Sequence, residues 1–282
     1  MITDIILISV ALLILIISSI WDLRTREVPD NLTIGLIVIA LVIRLIHSII
    51  TREYTFFLYG LLGFGIMFII ALIMYRTKQW GGADAKLLMG FGAAFGTAPY
   101  FSNLTLPFLL ILFLNVIIIG GLYGLIFAIV LYFKNRKKAN PLLKKELIKK
   151  RRLRNIILMI AVMILISSIL IPILTIKALL IILALFLMAY FYISIFVKIV
   201  EKLSFIKQLP LERVTEGDWL AKDVYYKNKV LISKKHPCLT LKDIKLMKKN
   251  KIRNAWVKIG IPFVPAMLIA TIVTILVSIM GF

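Results

Sequence analysis

The chain has 282 residues, of which 61% are apolar and only 17% charged. Soluble proteins run at roughly 45–50% and 25%, so a water-soluble globule is excluded. Thirty-five Lys and Arg against thirteen Asp and Glu leave a net charge of +22, which in a soluble protein would point to nucleic acid; here membrane topology accounts for it and no nucleic-acid partner is expected. The single cysteine, Cys238, excludes an internal disulfide framework and any multi-cysteine zinc or iron-sulfur site, since each needs several thiolates. No metal or cofactor is predicted.

A hydrocarbon core about 30 Å thick takes roughly 20 apolar residues in helical form. Runs of that length between charges predict seven spanning helices, at 4–21, 31–50, 56–75, 105–133, 154–174, 178–200 and 261–281. The stretch 83–98 is shorter and rich in Gly and Ala, which predicts an eighth helix packed among other helices. The first run has no basic segment before it and Trp21-Asp22 after it, so a cleaved signal peptide is not expected. Cytoplasmic loops retain Lys and Arg. With the N-terminus outside, every Lys and Arg but Arg44, Arg52 and Lys177 falls on the inner side, where anionic headgroups add attraction.

Two inner segments exceed turns. Residues 134–154 form a basic connector, solvated or bound to lipid headgroups. Residues 201–260 change composition and predict a small module: Val224-Tyr225-Tyr226 and Val230-Leu231-Ile232 flank Lys227-Asn228-Lys229 as a hairpin. Thr240 offers an N-cap, with Asp243 as capping-box partner, for a short helix ending near Asn250. The expected fold is an all-α polytopic membrane protein of about eight helices with a small α+β cytosolic module before the last helix. Its expected parts are membrane helices at 1–133, the connector 134–154, a helix pair at 155–200, the module 201–260 and a final helix at 261–282.

Ionisable groups within or beside membrane spans are costly and are functional candidates by default. Asp22 ends the first span and Asp84 begins the fourth; Asp4 and Glu53 lie at outer ends, where solvation suffices. Around Asp22 the sequence runs Trp21-Asp22-Leu23-Arg24-Thr25-Arg26-Glu27-Val28-Pro29-Asp30-Asn31-Leu32-Thr33, and around Asp84 it runs Gly81-Gly82-Ala83-Asp84-Ala85-Lys86. Pro29 followed by Asp30 and Asn31 predicts a tight re-entry, either polar residue capping the second span. Gly81 and Gly82 permit close backbone approach and put Asp84 near a helix start. The alternative for each aspartate is an ion pair with Arg24 or Lys86 that serves topology alone. Lys86, two residues after Asp84, points away from it on a helix and is expected at a lipid phosphate; Glu27 and Asp30 read as a solvated loop charge and a cap, or as contacts to a basic substrate. Gly92 with Gly96, and Gly120 with Gly124, predict close helix contacts. Arg44 and His47 share an outer-end face and are expected to snorkel, and His236-Pro237-Cys238 is too small a set for zinc.

The first motif, an Asp, five residues, Val-Pro, two residues and Leu-Thr, and the second, Gly-Gly-Ala-Asp-Ala-Lys, together resemble the type IV prepilin peptidases and archaeal preflagellin peptidases, a family of membrane aspartyl proteases. Ala83 stands where the stricter second motif has glycine. The ending Gly260-Ile261-Pro262-Phe263-Val264-Pro265 and the module before it are similar to the archaeal branch; one cysteine cannot supply the paired C-x-x-C motifs of the methylating bacterial enzymes. The resemblance implies that Asp22 and Asp84 are catalytic and that pilin-like or archaellin precursors are the partners in the membrane, cut behind a short basic leader at the cytosolic face; Gly81, Gly82, Ala83, Lys86, Glu27 and Asp30 are the candidates for shaping the site or meeting the leader. Chemistry supports the pairing: two carboxyls at close range cannot both ionise, so one serves as base and the other as acid. Position at a helix start favours Asp84 as the ionised base, and position at a helix end favours Asp22 as the acid. Alternatives are a presenilin-like intramembrane protease, since Pro265-Ala266-Met267 follows late in the chain, and a proton- or cation-coupled transporter or pilus-assembly subunit.

Overall fold

The structure is a computed structural model and describes residues 2–280 apart from 101, 105, 228 and 235–237. Its helices are α1 (Ile2–Thr25), α2 (Asp30–Thr51), α3 (Tyr54–Arg76), α4 (Gly82–Phe95), α5 (Phe108–Lys134), α6 (Arg136–Lys149), α7 (Arg151–Leu170), α8 (Leu174–Val200), α9 (Leu241–Lys249) and α10 (Val264–Met280). Among the described residues five of them, with α8 continued to Phe205 as a sixth, are long and apolar enough to cross a membrane, and α10 is a shorter apolar helix. The chain is thus the polytopic membrane protein expected, with sheet confined to a small module before the last helix. It divides into two compact units, Met1–Gly124 with Gln208–Phe282, and Leu125–Lys207.

In the first unit the helix expected at 83–98 is α4, with 14 residues. At 1.5 Å per residue that is about 21 Å, too short to cross the hydrocarbon alone. It is instead enclosed by protein: Leu87, Leu88, Phe91 and Phe95 are buried together with Ala93 and Ala94. Glycines make this possible. A Cβ on Gly92 would strike the carbonyl of Gly63, and one on Gly96 the carbonyl of Tyr59, so α3 and α4 meet backbone to backbone as the small-residue spacing predicted. The second pair behaves differently. Gly120 makes room for the ring of Phe263, whereas Gly124 faces open space.

Arg44 departs from expectation. It does not snorkel: with 1% of its surface exposed, it donates to the carbonyl oxygens of Phe56 (2.7 Å) and Ala94 (3.0 Å) and to the Thr97 hydroxyl (3.0 Å), and it lies 4.3 Å above the Phe56 ring. The reason lies at the end of α4. The last four carbonyls of a helix have no partner within it, and in a buried helix water cannot supply one; Arg44 does so from α2, and Gly60 leaves space for its side chain. His47 instead pairs its Nδ1 with the Thr3 hydroxyl at 3.0 Å.

Residues 208–260 build the module around Leu220, Val224, Ile244, Met247 and Val257. Strands β1 (Ile206–Pro210), β2 (Trp219–Leu220) and β5 (Asn254–Lys258) form a sheet in the order β1-β5-β2, with Trp219 opposite Lys258 and Leu220 opposite Val257. The expected hairpin is present as antiparallel β3 (Val224–Tyr226) and β4 (Lys229–Ile232); its turn residue Asn228 lies outside the described residues, as do His236 and Pro237. Thr240 caps α9 as expected: its hydroxyl accepts from the Asp243 backbone at 3.2 Å, and the Asp243 carboxylate accepts the Thr240 N–H at 2.9 Å.

In the second unit the basic connector is largely the helix α6. Its Ala139, Leu142, Leu143 and Leu147 pack with Phe191, Ile195 and Ile199 of α8, while Lys137, Lys138, Lys144 and Lys145 are exposed.

The seam between α3 and α4 predicts that Gly92→Val, which must push against a carbonyl, destabilises by about 1–3 kcal/mol, and that Gly124→Val does not; thermal unfolding in one detergent compares them. A second prediction concerns pH. Burial lifts the Asp218 carboxyl above its ordinary 3.8, the Thr215 backbone N–H pulls it back, and the charge of Glu27 raises it further. The folded state then binds this proton more tightly than the unfolded chain, so stability falls as pH rises from about 4 through the raised value. Asp218→Asn, which keeps an acceptor for Thr215, is therefore more stable than the wild type at pH 7, and the advantage fades toward pH 4. Unfolding temperatures measured at the two pH values check this.

Candidate active site

Asp22 lies in the last turn of α1. The helix runs on to Thr25, whose hydroxyl accepts the Glu27 N–H and stands within hydrogen-bonding distance of the Trp21 and Glu27 carbonyl oxygens. It ends at Arg26, which takes a left-handed φ of 60° and returns its N–H to the Asp22 carbonyl at 2.8 Å. Val28 is buried in the core and holds the loop against the helices. Pro29, and not Asp30 or Asn31, occupies the N-cap position of α2, with no side-chain cap. Asp30 is free for another use, because its carboxylate accepts from the Lys86 ammonium at 2.5 Å. Lys86 therefore meets a protein carboxylate where a lipid phosphate was expected, and this exposed pair joins the start of α2 to the first turns of α4.

Asp84 is the third residue of α4. Its Oδ2 accepts the backbone N–H of Gly81 at 3.1 Å, which satisfies a donor at the helix start that would otherwise be unpaired. Gly81 is extended, with φ −71° and ψ 166°. A Cβ there would stand 3.2 Å from that carboxylate oxygen, so side chains at 81 press on Asp84. Gly82 opens the helix, and Ala83 packs at the edge of the apolar core.

Asp22 is buried, at 6% exposure, and Asp84 is half-buried. Among the described residues neither forms an ion pair with Arg24 or Lys86, the arrangement that a purely topological role required. The two carboxyls instead lie within electrostatic reach of each other, although 62 positions separate them in the chain. Asp22 Oδ2 accepts the backbone N–H of Val264 at 3.0 Å, at the start of α10. Each carboxyl thus has one oxygen fixed by a helix N-terminus, so the helix-end argument that separated base from acid no longer separates them.

Several neighbours have no mark in the sequence motifs. The Phe263 ring packs against Trp80 with centroids 5.5 Å apart and planes tilted by 41°, which joins the entry of α10 to the loop before α4. Tyr123 of α5 is within electrostatic reach of Asp22 and Arg26. Glu27 is exposed, and its Oε1 accepts the Thr215 hydroxyl at 2.9 Å; Arg26 donates to the Gly260 carbonyl at 3.2 Å. Among the described residues no group of three or more His, Cys, Asp or Glu is arranged to hold a metal. Two carboxyls of unequal exposure, each with one oxygen fixed, can divide the proton transfers of a hydrolysis between them.

Residues 9–125 match the Type IV leader peptidase family. That segment contains both aspartates and both motifs, and it is the family to which the motifs pointed. A preflagellin peptidase of Methanococcus voltae is 34% identical over 137 residues, 45% of this chain and 57% of that protein. One of Methanocaldococcus jannaschii is 32% identical over 79 residues, 28% of this chain and 33% of that protein, and one of Methanococcus maripaludis is 37% identical over 79 residues, 28% and 34%. The matched part of the chain therefore spans a little over half of the first relative and about a third of the others. No solved structure matches.

Proposed function

We propose that this chain is a membrane aspartyl endopeptidase that removes the short basic leader from preflagellin-like or prepilin-like precursors at the cytosolic membrane face. One observation carries the reading: Asp22 and Asp84, from the end of α1 and the start of α4, lie within electrostatic reach of each other, and among the described residues neither is ion-paired with Arg24 or Lys86. The family match over 9–125 and the relatives named as preflagellin peptidases support it. A coupled transporter would also use acidic groups in the membrane, but nothing else in the chain favours that reading.

In this mechanism a water lies between the two carboxyl groups and the scissile carbonyl. The ionised member takes a proton as the water oxygen bonds to the carbonyl carbon, and the protonated member gives its proton to the carbonyl oxygen. The tetrahedral diol then collapses: the carbon–nitrogen bond breaks, the amine leaves with a proton, and the dyad again holds one proton. The oxygens fixed by Gly81 and Val264 hold both groups in orientation, which this geometry-limited chemistry demands. The precursor's apolar segment lies in the same membrane, and its basic leader must approach a chain of charge +22. Lys86 already offsets Asp30, so Glu27, exposed beside Asp218, is the acid best able to meet the leader.

Mass spectrometry of an archaellin precursor incubated in detergent with the purified protein tests the reading. The wild type releases the leader without added cofactor, and Asp22→Asn and Asp84→Asn each lose about 10³-fold or more of that rate. Processing that survives either substitution contradicts the proposal.

A further inference from the structure

The first turn of α10 has an unusual donor inventory. The N–H groups of Ala266 and Met267 both go to the Phe263 carbonyl, at 3.0 and 3.3 Å, and Pro265 has none. Val264 N–H is therefore the one donor of this turn without a partner in its own helix, and it is given to Asp22 Oδ2 at 3.0 Å, across 242 positions of chain. A buried orphan N–H is costly, so the bond fixes Asp22 and the entry of α10 together.

That entry is in turn held by the module. Residues 259–263 run directly from β5 into α10. On the way, the Gly260 carbonyl accepts from Arg26 at 3.2 Å, and the Phe263 ring lies between Trp80 and the gap left by Gly120. Elsewhere the module meets the loop after α1 and the last turn of α3: Thr215 donates to Glu27, and Cys238 lies 3.3 Å from the Tyr75 hydroxyl. These contacts leave the module little freedom to move independently of the carboxyls.

We infer that the 208–260 module positions Asp22 for reaction by fixing the start of α10, with the Val264 backbone N–H as the positioning group. The inference rests on the proposed peptidase function and assigns a role to a region outside the family match, which ends at residue 125. Val264 does not touch substrate in this account; it acts through Asp22, beside which the Phe263 backbone N–H also lies, and a carboxyl that loses the Val264 donor turns toward that neighbour and away from the attacking water.

The position permits a selective test. Val264 is the first residue of α10, where proline is well tolerated because the N–H has no helical partner to lose. Val264→Pro deletes the donor, Val264→Ala keeps it, and incorporation of α-hydroxyvaline at 264 replaces the N–H by an ester oxygen with the side chain unchanged, which serves if the proline variant does not fold. Two quantities are read on the full-length protein: kcat and KM on an archaellin precursor, and the Asp22 carboxyl infrared band, identified by its loss in Asp22→Asn. The inference predicts that both donor deletions lower kcat about 10²-fold relative to Val264→Ala, with KM little changed, and shift the Asp22 band. A kcat equal to that of Val264→Ala overturns it, whatever the band does. If instead Asp22→Asn still cleaves, the peptidase reading fails, and the band alone decides whether this N–H holds the carboxyl: a shift supports the bond and an unmoved band overturns it.

Discussion

A helix too short to cross a membrane must have both its ends satisfied by protein, and α4 is arranged around that constraint. At its start the Asp84 carboxylate takes the N–H of Gly81; at its end Arg44 takes the carbonyl of Ala94. Between them, glycines on α3 and α4 bring the two backbones into contact. Because α4 is enclosed by helices, its N-terminal carboxyl stands beside the end of α1, within reach of Asp22. The proposed chemistry needs that arrangement, since two carboxyls can trade a proton only where they sense each other's charge.

The second fixed point is the start of α10. A helix whose second residue is proline has one fewer backbone donor to satisfy, and the remaining orphan, Val264 N–H, finds Asp22. The helices carrying the two aspartates are thus referenced to a third helix as well as to each other. Charge follows the same economy of partners. In a chain of +22, Lys86 pairs with Asp30 and Thr215 binds Glu27, while among the described residues neither Asp22 nor Asp84 is ion-paired with Arg24 or Lys86.

Much of this was legible in the sequence because membrane helices are written in long apolar runs, and the spans at 4–21, 31–50 and 56–75 lie inside α1, α2 and α3. The two aspartates stood out because an acid at the end of such a run is costly. The hairpin and the Thr240 cap were legible from local alternation and capping chemistry. What was missed depends on contacts distant in sequence. Arg44 looked like a snorkelling cation because nothing near it in sequence reveals the carbonyl of Ala94, fifty positions away. The sheet of β1, β5 and β2 joins strands of two to five residues that are not consecutive, and α6 was hidden by its charge because its apolar face is narrow. Val264 contributes a backbone N–H, which no side-chain pattern records.

The central claim is that Asp22 and Asp84 behave as one coupled pair. Infrared-detected titration of each carboxyl, in the wild type and with the other aspartate replaced by asparagine, measures that coupling directly. The account predicts that replacing either one moves the titration midpoint of the other, and that the two displacements are equal, as linkage requires. Midpoints that stay where they are when the partner is removed would contradict it.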